Sequence, residues 1–134
     1  MTQLEKLEKH QDVRDYWLKF NLKVAPINNA VMRDSDCQLA ILDGGHAVDD
    51  GVSSEIGFYA AIRRGPIFAL RSDIRRGENL ATGINLQVLG YIVESGGRLV
   101  DAPDPEFRGE KYPVISTWLS EVKKWHDGFK EKGG

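Results

Sequence analysis

The sequence predicts an α/β domain built around a parallel sheet. Two apolar runs of strand length, "CQLAIL" and "PIFAL", lie fewer than forty residues apart, with a glycine-rich loop and a stretch of helical periodicity between them. A strand, a loop, a helix and a second strand in that order form a βαβ unit, whose two strands are parallel. With 134 residues, 41 % of them hydrophobic, the chain is expected to form a single domain, residues 1–134, with its own core.

Both ends of the chain are predicted to be helical. The opening twenty residues place four apolar side chains at helical spacing: Val13, Tyr16, Trp17 and Phe20. After them, "NLKVAP" is expected to form a short strand closed by Pro26. "INNAVMRDSD" is expected to form a short helix with Ile27, Ala30 and Val31 turned inward. Residues 113–129 carry the apolar stripe of a C-terminal amphipathic helix.

The middle of the chain alternates strands with helices. "CQLAILD" predicts a buried parallel strand, and helical periodicity begins at Val52 and stops at "RRGP". One face of that helix carries Val52, Ile56, Tyr59 and Ala60. "PIFALR" predicts the next strand, and "RLVD" predicts a short last one. The segment "INLQVLGYIVESGG" between them is expected to form a helix with Leu86, Leu89, Ile92 and Val93 on one face.

Composition excludes several classes of protein. Eighteen basic and twenty acidic residues give a net charge of −2, so no general attraction to nucleic acid or to an anionic membrane is expected. The three histidines and the single Cys37, which we expect to be a buried structural thiol, do not show metal-ligand spacing. The start of the chain lacks the apolar stretch of a signal peptide, which predicts a cytoplasmic protein. The sequence contains no G-x-G-x-x-G motif after the strand and no glycine loop that ends in Gly-Lys-Ser/Thr, the two usual phosphate-binding fingerprints. No cofactor is predicted.

The stretch "DGGHAVDDGVSSEIG" is the candidate functional loop. It follows a predicted strand, and ligands of open parallel sheets bind beyond the carboxyl ends of the strands. Gly44, Gly45 and Gly51 would let the backbone approach a ligand closely. A simpler interpretation is that Asp49 or Asp50 caps the next helix and that Glu55, placed in its first turn, complements the helix dipole.

The acidic residues of this loop suit sugar chemistry better than phosphate binding. Like charge would repel a phosphate, whereas carboxylates bind sugar hydroxyls and can attack an anomeric carbon. Retention at that carbon needs one carboxylate as nucleophile and a proton donor for the leaving group. Asp43, Asp49 and Glu55 could supply such a cluster.

"DDGVSSEIGFYAAIRRGPIFALRSDIR" followed by "INLQV" resembles the nucleoside 2-deoxyribosyltransferase family. Asp49, Gly51, Glu55 and Gly57 fit the spacing of the family's acidic motif, and the similarity runs from about Ile27 to Val93. The resemblance implies a flavodoxin-like, or Rossmann-like, sheet flanked by helices. It also implies transfer of 2-deoxyribosyl groups between nucleobases. Hydrolysis of deoxynucleoside 5′-monophosphates and nucleoside binding without catalysis remain alternatives.

The resemblance also implies roles for individual residues. Glu55 matches the family's covalent nucleophile, and Asp49 matches the carboxylate near the 5′-hydroxyl of the sugar. Asn85 matches an asparagine that completes the pocket of a neighbouring subunit, which implies a homo-oligomer. Asn28 stands where many relatives have an aspartate, and it could hydrogen-bond a base without donating a proton in the same way. Asp43 is then the candidate for proton transfer to the leaving base.

The N-terminal segment departs from the family pattern. The family opens with a strand that ends in a Tyr-Leu-Ala-Gly-Pro-like turn, and residues 1–26 contain nothing similar. The sheet is therefore expected to be shortened at its N-terminus, or the pocket to be rebuilt with Tyr16 or Trp17. Arg71, Asp73 and Arg75 could line the mouth of the pocket or pair with one another on the surface.

Overall fold

The computed structural model of the protein describes residues 1–44, 48–73, 84–102, 104, 106 and 111–133. His46 and Arg75 lie outside these described residues. The contacts within the chain divide it into two compact units, Met1–Asp34 and Ser35–Gly134, and each is described by itself. None of the helices in the described ranges combines the length and the apolar composition needed to cross a bilayer.

The first unit is one long helix, α1, which spans Gln3–Asp34. The strand predicted for "NLKVAP" is wrong, because the helix continues through Pro26. The inward face predicted for the following segment is also wrong, since Ile27 and Val31 are each 60 % exposed and Ala30 is exposed as well. The helix predicted from the spacing of Val13, Tyr16, Trp17 and Phe20 is present, because all four residues lie on α1. The rings of Trp17 and Phe20 meet edge to face with centroids 5.6 Å apart.

The second unit contains a three-stranded parallel sheet in the order β1-β2-β3. The strands are β1 (Gln38–Ile41), β2 (Ile67–Arg71) and β3 (Arg98–Asp101). The helices are α2 (Asp50–Ile62), α3 (Leu86–Glu94) and α4 (Lys111–Glu131). The predicted βαβ unit and the predicted last strand are therefore confirmed.

Strand β2 forms the centre of the core, and all five of its residues are buried. Successive side chains of a strand point to opposite faces of the sheet. Phe68 and Leu70 join Val100, Val114 and Trp118 in the cluster that α4 covers. Helices α2 and α3 pack against each other and against the strands, so the alternate residues of β2 are buried beneath them.

Helices α2 and α3 match the sequence prediction to different degrees. Ile56 and Tyr59 of α2 are fully buried, as the pattern predicted. In α3 the buried residues are Val88 and Ile92, which share a face at a spacing of four. The prediction that Leu86 and Val93 belong to this face is wrong, since they are 75 % and 61 % exposed.

Strand β1 is at the edge of the described sheet. Leu39 and Ile41 lie in register with Phe68 and Leu70, on the side of the sheet where α4 packs. Because α4 contacts β2 and β3, these two side chains remain 51 % and 56 % exposed. The predicted strand is confirmed, but it is buried on one face only. Cys37, just before it, is half-buried against the α4 cluster.

Candidate active site

Asp43 lies directly beyond the carboxyl end of β1 and is bonded to the chain that follows β2. Its Oδ1 atom accepts hydrogen bonds from the backbone N–H groups of Ser72 at 2.8 Å and Asp73 at 3.0 Å. Its Oδ2 atom accepts a hydrogen bond from the Ser72 hydroxyl at 2.5 Å. The carboxylate thus fixes two strand ends relative to each other while its residue stays exposed.

Asp49 is the N-cap of α2. Its Oδ2 atom accepts hydrogen bonds from the backbone N–H groups of Gly51 at 2.9 Å and Val52 at 3.3 Å. These donors are among the four that a helix start leaves without an intrahelical partner. Of the two candidates for the cap, Asp49 and Asp50, the structure therefore selects Asp49, and Asp50 is the first residue of the helix. The same side chain that the family motif singles out also holds the helix start.

Glu55 lies in the second turn of α2, six residues beyond the cap, and not in the first turn as the sequence had suggested. At 1.5 Å per residue, its backbone is about 9 Å along the helix axis from that of Asp49. Glu55 is half-buried and adjoins the fully buried Ile56. The residue as a whole is thus partly shielded by the domain and partly open to solvent.

Asn85 caps α3 in the same way that Asp49 caps α2. Its Oδ1 atom accepts hydrogen bonds from the backbone N–H groups of Gln87 at 2.8 Å and Val88 at 3.4 Å. Helices that connect parallel strands begin at the carboxyl edge of the sheet, so Asp43, Asp49 and Asn85 lie at one edge. Gly44 follows Asp43 there and is exposed. Asn28 lies on α1, in the other unit, and is exposed.

Two buried charged residues stand at the same edge. Arg71 is fully buried at the end of β2, and its Nη1 atom donates a hydrogen bond to the Leu42 carbonyl at 3.3 Å. Asp101, 4 % exposed, is the residue in register with Arg71 on β3. From the sequence, Arg71 could either line the mouth of the pocket or form an ion pair on the surface. Asp101 was not among the candidate residues. The alternation in "IFALR" was a usable signal, because it places Arg71 on the same face as Ile67 and Ala69.

The opposite edge of the sheet carries different chemistry. A cleft of about 480 Å³, lined by residues that include Arg63, Tyr91 and Glu94, lies where α2 ends. The nearby Tyr59 hydroxyl donates a hydrogen bond to the Ser35 carbonyl at 3.0 Å, and burial raises the pKa of Tyr59 to about 12. No group of acidic, histidine or cysteine residues suited to a metal ion occurs among the described residues.

The fold and this edge define a class of protein: an α/β domain with an acidic loop that leaves one parallel strand and caps the next helix. A family model for nucleoside 2-deoxyribosyltransferases matches residues 6–102, well over half of the chain. The chain therefore belongs to the nucleoside 2-deoxyribosyltransferase family, and its sheet agrees with the flavodoxin-like fold of that family.

The family match is longer than the motifs alone had suggested, since it extends beyond Ile27 and Val93 in both directions. Membership indicates a deoxyribosyltransferase-like function with nucleosides and nucleobases as substrates. No protein with a curated description matches the chain.

Proposed function

We propose that the chain transfers the 2-deoxyribosyl group between nucleobases, with Glu55 as the covalent nucleophile. The observation that carries the proposal is the position of the family motif. Asp49 caps α2 at the carboxyl edge of the sheet, and Glu55 follows it in the second turn, half-buried. A carboxylate at the border of the interior is accessible to a sugar and partly screened from water, as a nucleophile requires.

The reaction follows from this arrangement in two displacements. A Glu55 oxygen attacks the anomeric carbon, the bond from that carbon to the base nitrogen breaks, and its electron pair leaves with the base, which takes up a proton. A nitrogen of a second base then attacks the same carbon, the Glu55 carboxylate leaves, and the second base gives up the proton that the first base had taken. Two inversions give net retention. Water in place of the second base would give hydrolysis.

Asp49 supports an unphosphorylated substrate. A helix N-terminus ordinarily attracts phosphate through its free N–H groups. Here the Asp49 side chain already accepts hydrogen bonds from the Gly51 and Val52 N–H groups and adds a carboxylate at the same place. A 5′-phosphate would lose those donors and meet like charge, whereas a 5′-hydroxyl could donate to the carboxylate. The site thus favours a 2′-deoxynucleoside over its 5′-monophosphate.

The remaining assignments concern contacts with the sugar and the base. Gly44 and Gly51 provide close backbone approach to the sugar, and Gly51 also belongs to the capped turn. Asn28 and Asn85 are proposed to contact the base, Asn85 from a second copy of the chain. Asp43 is predicted from the sequence to supply the proton of the leaving base, whereas in the structure both of its oxygens accept hydrogen bonds.

A coupled exchange assay tests the proposal. The protein is incubated with deoxyinosine and free adenine, and the products are separated by chromatography. Deoxyadenosine is the expected product, and Glu55→Ala should abolish its formation. Glu94→Ala, which removes an exposed carboxylate from α3, is the matched control and should leave the rate unchanged. Release of free sugar alone would replace the transfer function by hydrolysis. Thermal stabilisation by nucleoside without turnover would leave only a binding function.

A further inference from the structure

The Asp43 carboxylate is held by three donors from the chain beyond β2. They are the Ser72 N–H, the Ser72 hydroxyl and the Asp73 N–H, at distances of 2.8, 2.5 and 3.0 Å. Two of them bind Oδ1 and one binds Oδ2. Side-chain orientation at this position is therefore set by residues 29 and 30 positions away in sequence.

The backbone that leads into Asp43 is fixed to β2 as well. The Leu42 N–H donates a hydrogen bond to the Leu70 carbonyl at 2.8 Å, and the Leu42 carbonyl accepts one from the buried Arg71 guanidinium. Asp43 thus has little freedom in either its backbone or its side chain. A group held in this way can contact a ligand without first being ordered, which lowers the entropic cost of binding.

An ionised carboxylate offers about four acceptor positions, and among the described residues the three donors from Ser72 and Asp73 leave one of them, on Oδ2. Asp43 is exposed and lies at the same edge as Asp49. We infer that Ser72 is a positioning residue that presents Asp43 Oδ2 as a hydrogen-bond acceptor for a hydroxyl or N–H group of the substrate. This inference rests on the proposed function.

The acceptor role differs from the acid role in its chemistry. To protonate a leaving base, Asp43 would need an O–H of its own directed at the base. In the observed arrangement the Ser72 hydroxyl donates to Oδ2 and two N–H groups donate to Oδ1, so all three contacts use the Asp43 carboxyl group as an acceptor. An acceptor contact made equally in the bound substrate and in the transition state changes KM and leaves kcat nearly constant.

Steady-state kinetics of three variants test the inference. Asp43→Asn keeps the shape of the side chain but turns an N–H₂ group toward the substrate or toward Ser72. Loss of a hydrogen bond to a charged group predicts a rise in KM of about tenfold or more. Ser72→Ala keeps the two backbone donors and should raise KM several-fold. Ser95→Ala is the matched control, because it also removes a hydrogen-bonded serine hydroxyl, one that takes part in three hydrogen bonds at the other edge of the sheet. It should lower stability without changing KM.

A nucleoside whose base is already cationic separates the two roles, since such a base leaves without being protonated. The acceptor role predicts that Asp43→Asn lowers kcat/KM by the same factor with the cationic nucleoside as with the neutral one. A loss that disappears on the cationic nucleoside would identify Asp43 as the acid and overturn the inference. Unchanged KM in Ser72→Ala, with wild-type exchange intact, would overturn it while leaving the proposed function standing. A wild-type protein that neither exchanges nor binds deoxynucleosides would overturn both.

Discussion

The Asp49 carboxylate lies so close to the Gly51 backbone that a side chain at position 51 would collide with it where it now stands. Asp49 Oδ2 lies 2.9 Å from the Gly51 nitrogen, and a Cβ atom added at Gly51 would also lie 2.9 Å from Oδ2. Real Cβ atoms essentially never come that close to another heavy atom. A side chain at position 51 therefore requires the Asp49 carboxylate to move from its capping position, independently of any ligand.

The first prediction concerns this contact. Gly51→Ala should displace the Asp49 side chain and lower the free energy of unfolding by about 0.5–2 kcal/mol, the usual cost of losing an N-cap. Because Asp49 is also the proposed sugar contact, kcat/KM should fall in the same variant. Urea denaturation and exchange kinetics measure the two effects. Gly128→Ala is the control, since a Cβ there meets no atom within 4 Å. Full stability and activity in Gly51→Ala would contradict the cap geometry.

The second prediction separates the charge of Asp49 from its capping role. Asp49→Ser should keep the cap, because serine is about as good an N-cap as aspartate. It removes the charge that opposes a 5′-phosphate. The ratio of kcat/KM for deoxyinosine 5′-monophosphate to that for deoxyinosine should therefore rise about tenfold or more. Asp50→Ser removes a neighbouring carboxylate that does not cap the helix and should leave the ratio unchanged. An unaltered ratio in Asp49→Ser would refute electrostatic exclusion of phosphate.

The third prediction concerns pH. Burial raises the pKa of Tyr59 from 10.0, the ordinary value for tyrosine, to about 12. Above pH 10 the unfolded chain releases this proton first, so its contribution to stability is complete below pH 10 and declines as the pH rises toward 12. At pH 11 the loss should be about 1.4 kcal/mol. Tyr59→Phe should lack this part of the decline when unfolding is measured between pH 8 and 11. If the free energy of unfolding declines equally with pH in the wild type and in Tyr59→Phe, the raised pKa of Tyr59 is contradicted.

The fourth prediction concerns the edge strand. Leu39 and Ile41 remain about half exposed on a strand that is at the edge of the described sheet, and such edges favour pairing with a second chain. We expect the protein to be a homo-oligomer that buries these side chains. Leu39→Lys with Ile41→Lys should shift the mass measured by light scattering toward the monomer. Val93→Lys, at an exposed position on α3, should not. An oligomer that tolerates both lysines would place the interface elsewhere.

The sequence was sufficient where local pattern and packing agree. The apolar run of β2, the helix between Val52 and "RRGP", and the glycine and proline that follow it all indicate the same βαβ unit. The acidic motif could be placed at a helix start for the same reason. Residue types alone could not tell whether Asp49 or Asp50 is the cap, because the answer depends on the backbone angles at the helix start.

The strand prediction for "NLKVAP" failed because Pro26 was treated as a stop, whereas the helix predicted before it is present. Pro26 removes one intrahelical hydrogen bond, but the helix forms on both sides of it and α1 continues to Asp34. In α3, the stripe was assigned from Leu86 onward, although Leu86 directly follows the Asn85 cap and points away from the core. Aliphatic residues in a short helix fit more than one face, and the spacing alone did not choose between them.

The contacts of Asp43 could not be predicted at all. Its partners, Ser72 and Asp73, are 29 and 30 residues away, and only the register of β1 against β2 brings them together. The burial of Arg71 depends on the same register. Contacts between functional residues that follow different strands therefore cannot be predicted from local sequence patterns until the strand order and register are known.

Trapping of the glycosyl-enzyme tests the central claim most directly. The protein is mixed with a deoxynucleoside in the absence of an acceptor base, quenched with acid, digested and analysed by mass spectrometry. The account predicts that the peptide containing Glu55 gains the mass of one deoxyribosyl group, and that this gain disappears when adenine is added before the quench. Glu55→Gln should show no adduct. An adduct on another residue, or exchange activity that persists in Glu55→Gln, would contradict the assignment of the nucleophile.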